Sequence, residues 1–196
     1  MSLWGNSDAD ESKPKNLTTA EKKEVYATAS GWVREAGSAL SGNNNTSATP
    51  ELLVAISALS TNLGAADVTE VEWITTAADK SAGFTLSVRV RYNEAVTVTG
   101  NPTLAVTNGN QGSGSGRGPH SLVYASGTGT NELVFSLAIA AANAATNAGD
   151  ILTIGAQNIA KPGGATIKDA TGTASDSAVA ISGAQGTAAG GITVVA

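Results

Sequence analysis

Apolar and polar positions alternate most strictly from Gly83 to Gly100. Leu86, Val88, Val90 and Tyr92 fall on one side and Ser87, Arg89 and Arg91 on the other, a period of two that marks a strand with one buried and one wet face. The pattern breaks at Asn93-Glu94 and resumes at Val96 and Val98. It predicts a strand, a short polar turn and a second strand. The same alternation recurs at Leu104 and Val106, at Leu122 and Tyr124, and at Leu133, Phe135, Leu137 and Ile139. Shorter runs at 71–75, 151–154, 166–169, 179–181 and 192–195 read as further strands. Asp79 to Gly83 reads as a polar turn, and Gly127-Thr128-Gly129-Thr130 as a tight one, because glycine accepts positive φ without steric cost. The alanine-rich stretch 140–148 is expected to cross over, partly as helix. Seven or more short strands with closely spaced turns predict an antiparallel two-sheet sandwich over residues 70–196.

Upstream of it the pattern changes twice. Residues 1–24 are polar with charges of both signs, and their apolar positions are Leu3, Trp4 and Leu17. They read either as a frayed terminus or as an extended arm that orders against a partner, which at full stretch reaches roughly 80 Å. Thr18-Thr19-Ala20-Glu21 can cap a short helical turn, with the hydroxyl taking up an orphan N–H. Residues 25–69 read as a small β-rich linking piece. Strands at 25–28 and 32–35 precede a Gly-, Ser- and Asn-rich loop. The apolar run 52–56 suits either a buried strand or a helical turn after Thr49-Pro50, and the β-like surroundings favour strand. This piece is too small to hold a core alone and must pack on the main domain or on a partner. Trp32 is either part of that local packing or an interface anchor.

Composition narrows the function. The 196 residues are 4% aromatic, so the core must be thin and aliphatic, unlike the bulky apolar walls of most enzyme pockets. A net charge of −5 argues against tracking nucleic-acid phosphates. Without cysteine, disulfides and thiolate metal sites are excluded. The first residues lack the basic and apolar regions of a signal peptide, and no apolar run is long enough to span a membrane. A soluble protein made in a cytoplasm is expected, one that leaves inside a particle included.

Candidate chemistry is sparse. His120 is the single histidine, and its neighbour Ser121 would face the other side of a strand, so a Ser–His pair is not formed there. The segment Gly112 to Gly118, with Arg117, lacks the lysine, hydroxyl and strand–helix setting of a phosphate loop. It reads as an adaptable loop whose Arg117 can reach a partner. Asp150, Asp169 and Asp176 lie near turns, where capping is their ordinary role, and no spacing gathers the roughly 6–8 oxygens of a calcium site. Arg89 and Arg91 read as decoration of a wet sheet face. No catalytic residue, metal or cofactor is expected.

The residues from Thr85-Leu86 to Val98, with Asn93-Glu94-Ala95-Val96-Thr97-Val98 and then Pro102-Thr103-Leu104, resemble bacterial and phage Ig-like repeats. Tyr124 to Phe135 (YASGTGTNELVF) and Ala165 to Gly172 (ATIKDATG) continue the likeness, which covers roughly residues 70–180. Ser2-Leu3-Trp4-Gly5-Asn6 with Lys13-Pro14-Lys15 resembles the start of virion structural proteins from marine T4-like tailed phages of the cyanophage type. A single module without a secretion signal departs from surface repeat arrays. The resemblance implies an Ig-like β-sandwich in a non-enzymatic, virion-located protein. It would be a capsid decoration or cement protein that binds the major capsid protein, or another virion protein, in many copies or as a homo-oligomer. Nucleic acid and membrane are not expected partners. Leu3, Trp4, Leu17, Trp32 and Arg117 are the expected contact residues. The alternative is a tail, neck or fibre component whose Ig-like loops bind a host-surface ligand.

Overall fold

A computed structural model describes residues 12–109, 119–171, 177 and 179–196. The chain is mostly β, with 45% of it in strands, and a large mixed sheet dominates.

Helix α1 (Thr19–Lys23) opens the described chain. Thr18 caps it: the hydroxyl accepts the Glu21 N–H at 3.2 Å, and the Glu21 carboxylate accepts the Thr18 N–H at 2.8 Å. That is the reciprocal capping box the sequence points to. Strands β1 (Val25–Thr28), β2 (Gly31–Arg34) and β3 (Glu51–Ala55) follow as an antiparallel meander, and a single turn of helix, α2 (Leu59–Asn62), closes the layer. Gly31 makes the close approach possible. Its φ is +133°, and a Cβ there would stand 2.0 Å from the Val54 carbonyl oxygen. Val25, Ala27, Trp32, Leu59 and Leu63 form a small core, with Leu17, Leu53, Val54 and Ile56 packed on its margin. The run 52–56 is therefore a strand, but an edge one: Leu52 is 50% exposed.

The main body runs through β4 (Val68–Trp73), β5 (Ala78–Asp79), β6 (Phe84–Thr99), β7 (Thr103–Asn108), β8 (His120–Ser126) and β9 (Thr130–Ile139). It continues with β10 (Ile151–Thr153), β11 (Gln157–Asn158), β12 (Thr166–Asp169), β13 (Ala180–Ile181), helix α3 (Gly183–Ala189) and β14 (Gly191–Val195). The sheet order is β3-β2-β1-β6-β9-β8-β7-β10-β14-β5, with β4 and β12 also paired to β6, while β11 and β13 form a separate pair. Pairings are antiparallel except β1 with β6 and β14 with β5, so the sheet is mixed rather than purely antiparallel. One aliphatic core collects inward side chains from strands far apart in this pairing, Val71 of β4, next to β6, and Val194 of β14, next to last in the order, among them. The sheet therefore curls on itself. Helix α3 closes the curl, since Gln185 Nε2 donates to the Val68 carbonyl at 2.8 Å and Trp73 Nε1 to that of Gly190 at 3.3 Å.

The hub is β6, and it corrects the expected strand–turn–strand. It is one strand of 16 residues with an irregularity in its middle. Arg91 pairs with Glu132 and Val96 with Thr130, so residues 92–95 stand against Asn131 alone. Asn93 and Glu94 are buried rather than turned to water. Asn93 exchanges backbone and side-chain hydrogen bonds with Asp67, at 3.0 and 2.7 Å, and Glu94 accepts one from the Thr171 hydroxyl at 3.4 Å. Tertiary partners thus absorb polar groups that locally favour a turn.

One other expectation changes. Residues 140–148 form consecutive turns and no helix, because Asn143 caps the Ala145 N–H with its own side chain at 2.8 Å and Ala142 takes a left-handed φ of 54°. The helix of this region is instead α3, capped by Ser182 and Gln185.

Candidate functional site

Outward residues of three adjacent strands come together by register. Glu72 of β4 lies opposite Arg89 of β6, and Arg91 of β6 lies opposite Glu132 of β9. On an open sheet these side chains would be wet. Here the N-terminal layer covers Arg91, so its reading as surface decoration fails, while Arg89 stays partly exposed. Arg91 is only 5% exposed. Its Nη1 donates to Glu35 Oε2 at 2.9 Å and to the Lys23 carbonyl at 3.1 Å, and it pairs with Glu132 Oε1 at 2.5 Å. Its Nη2 reaches Glu72 at 3.3 Å, and Arg89 Nη1 reaches the same Glu72 oxygen at 2.9 Å. One guanidinium thus binds the end of α1, the residue after β2, and both strands that flank β6.

Beside Arg91 a cleft of about 650 Å³ opens between the layer and the sheet, with Glu24, Tyr26, Glu35, Thr46, Arg89 and Glu132 among its walls. Glu35 and Glu132 share one guanidinium nitrogen and lie within hydrogen-bonding reach of each other. Burial pushes the Glu35 carboxyl up to about 7; Glu132 adds to this and Arg91 opposes it. Burial works against the charge of Arg91, but Glu132, Glu35 and Glu72 together keep it a firm cation. Lys13 is pulled down to about 8, first by burial and then by Arg91, and its Nζ donates to the Lys22 carbonyl at 2.7 Å. The arrangement can hold or release a proton between two carboxyls and tie two layers together. Among the described residues no grouping of His, Asp and Glu has the geometry to hold a metal ion.

Of the expected contact residues, Leu17 packs on the small core and Trp32 is fully buried inside it. Both belong to the same small core, and the Trp32 indole fills its interior. Leu3, Trp4 and Arg117 lie outside the described residues, as does Asp176. Residues 12–24 are laid against the body: Lys23 pairs with Glu70, and Arg34 with Glu21 at 3.2 Å. The Arg91 cluster was missed as a site. The alternation of Arg89 and Arg91 was visible, but Glu35, which binds Arg91, is 56 residues from it along the chain.

His120 is not a loop histidine: it opens β8 and is buried, with Nε2 3.1 Å from the Thr146 hydroxyl. Burial lowers its pKa, and Asp150 opposes this. Asp150, fully buried, accepts hydrogen bonds from Asn108 Nδ2 and the Asn147 N–H, both at 2.8 Å. Thr146 is equally sealed, so this group pins residues 140–150 and offers no nucleophile to solvent. Asp150→Ala is expected to cost about 1–3 kcal/mol by stranding those donors, read as a lower urea midpoint. Asp169 likewise caps a turn, accepting the Thr171 N–H at 2.7 Å.

No protein-family model matches the chain, and no curated protein or solved structure is significantly similar to it.

Proposed function

We propose that the chain is a non-enzymatic structural protein of a phage particle, a decoration protein that binds the outer shell through its N-terminal region and displays an Ig-like sandwich. The observation that carries this reading is the division of the chain into a large curled sheet and a separately cored N-terminal layer that ends in an open edge. Strand β3 pairs only with β2 among the described residues, and Leu52 and Leu40, both on the β2–β3 connection or its strand, are each 50% exposed. Such an edge can extend the sheet of a neighbour through main-chain hydrogen bonds. The single aliphatic core enclosed by largely antiparallel strands supports the Ig-like assignment. Leu3 and Trp4 would supply apolar anchors ahead of that edge, and many copies on a symmetric shell would make weak contacts effective.

The test is co-sedimentation with particles lacking the protein. The deletion must stop at residue 11, because Lys13 and Leu17 belong to the folded body. Full-length protein is expected to bind saturably, and the 1–11 deletion to lose binding while it stays folded. Absence of shell binding by the full-length chain would sink the decoration reading and turn attention to tail components and host-surface ligands.

A further inference from the structure

The two cores are separate, and what joins them is polar. Only the Ala27–Glu94 bridge connects β1 to β6 in the sheet. Further ties among the described residues are the Lys23–Glu70 ion pair and the cluster around Arg91, where Glu35 of the layer meets Glu132 of the main sheet on one nitrogen. We infer that Glu35, Glu132 and Arg91 form a proton-controlled latch, which holds the N-terminal layer on the main sheet while the carboxyl pair keeps a proton and loosens it when that proton is lost.

The charges around Glu35 decide the direction. Arg91 faces it from β6 and Glu132 from β9, Arg89 of β6 lies on the same cleft wall, and Glu72 of β4 is joined to the group through Arg91. Tyr26 approaches from β1, Glu24 lies on the cleft wall, and Lys13 comes from the N-terminal segment. Ionised Glu35 is drawn to Arg91 and repelled by Glu132 at the same guanidinium nitrogen, and the cost of burying its charge tips the balance toward the neutral form. The Glu35 carboxyl titrates at about 7 when docked, against 4.5 ordinarily. The docked state therefore holds a proton that the open state releases. Its contribution is complete below about pH 4.5 and is lost as pH rises through about 7. Lys13, lowered to about 8, works in the opposite direction at higher pH, so the window that isolates Glu35 ends near there.

Hydrogen exchange of the full chain tests this, normalised for intrinsic amide rates. Between about pH 5.5 and about pH 8, protection of β1–β3 is expected to fall about tenfold relative to β9. Glu35→Gln should make that ratio independent of pH, and Glu132→Gln should move its midpoint down. A flat ratio in the wild-type protein, or the same fall in Glu35→Gln, would overturn the latch. Carboxyl carbon NMR of the wild-type protein gives a second reading without any variant. A Glu35 midpoint near its ordinary 4.5 would overturn it equally.

Discussion

Arg91→Met is expected to destabilise the protein by about 3–5 kcal/mol at neutral pH, because it leaves a cluster of carboxylates without their common cation. Arg91 is 5% exposed and binds Glu35, Glu72, Glu132 and the last carbonyl of α1. Methionine fills much of the volume and so separates loss of charge from loss of packing. The stranded carboxylates can recover some stability by taking up protons, so the deficit should shrink as pH falls toward 5 and widen above 7. Adding Glu132→Gln to Arg91→Met should restore part of the loss, since one of the uncompensated charges is then gone. Lysine is a poor substitute, because one ammonium cannot span the fork that Arg91 uses. Arg89 serves as the comparison. Its side chain is 31% exposed, and Arg89→Met should cost no more than about 1 kcal/mol. The measurement is urea unfolding of the four variants across that pH range. A loss below about 1 kcal/mol for Arg91→Met would show that the cluster is screened by water and does not bind the two layers.

The alternation rule read the strands well because it depends only on side chains next to each other in sequence. Leu86, Val88 and Val90, and Leu133 and Phe135, are all fully buried, as the pattern requires. The capping box at Thr18 and Glu21 was legible for the same local reason. A second such box, Ser182 with Gln185, was equally present ahead of α3, but a stretch of Gly and Ala gave it no apolar face to announce a helix. Asn93 and Glu94 misled because their partners, Asp67 and Thr171, are remote in sequence. The site was hidden by the same distance. Alternation shows that Arg91 faces away from the main core. Whether that face meets water depends on where the layer of residues 12–63 comes to rest, and no short window of sequence contains this. The mixed sheet is a matter of long-range topology too, since each parallel pairing is made by short strands that return from elsewhere.

Trp32→Ala is expected to unfold the N-terminal layer while the main sheet persists. Removing a fully buried tryptophan costs about 3–5 kcal/mol through lost burial and the cavity left behind. Among the described residues the small core has Val25, Ala27, Leu59 and Leu63 as its other sealed apolar side chains, so it has little capacity to close over that volume. The main core shares none of these residues, and among the described residues its ties to the layer are polar pairs, the Arg91 cluster and Lys23–Glu70, and one β-bridge. The loss should therefore stay local. Amide protection should vanish in β1–β3 and remain near wild type in β6–β9, and urea unfolding should separate into two transitions. Phe135→Ala, placed in the main core, should instead lower protection throughout the sheet. If Trp32→Ala lowers protection uniformly with one cooperative transition, the two cores fold as a unit and the latch has no independent element to release. If the layer alone melts, particle binding gives a further discrimination. A variant that has lost the β3 edge but keeps residues 1–11 should bind shells as wild type does if the anchors are Leu3 and Trp4, and should fail to bind if the edge strand makes the contact.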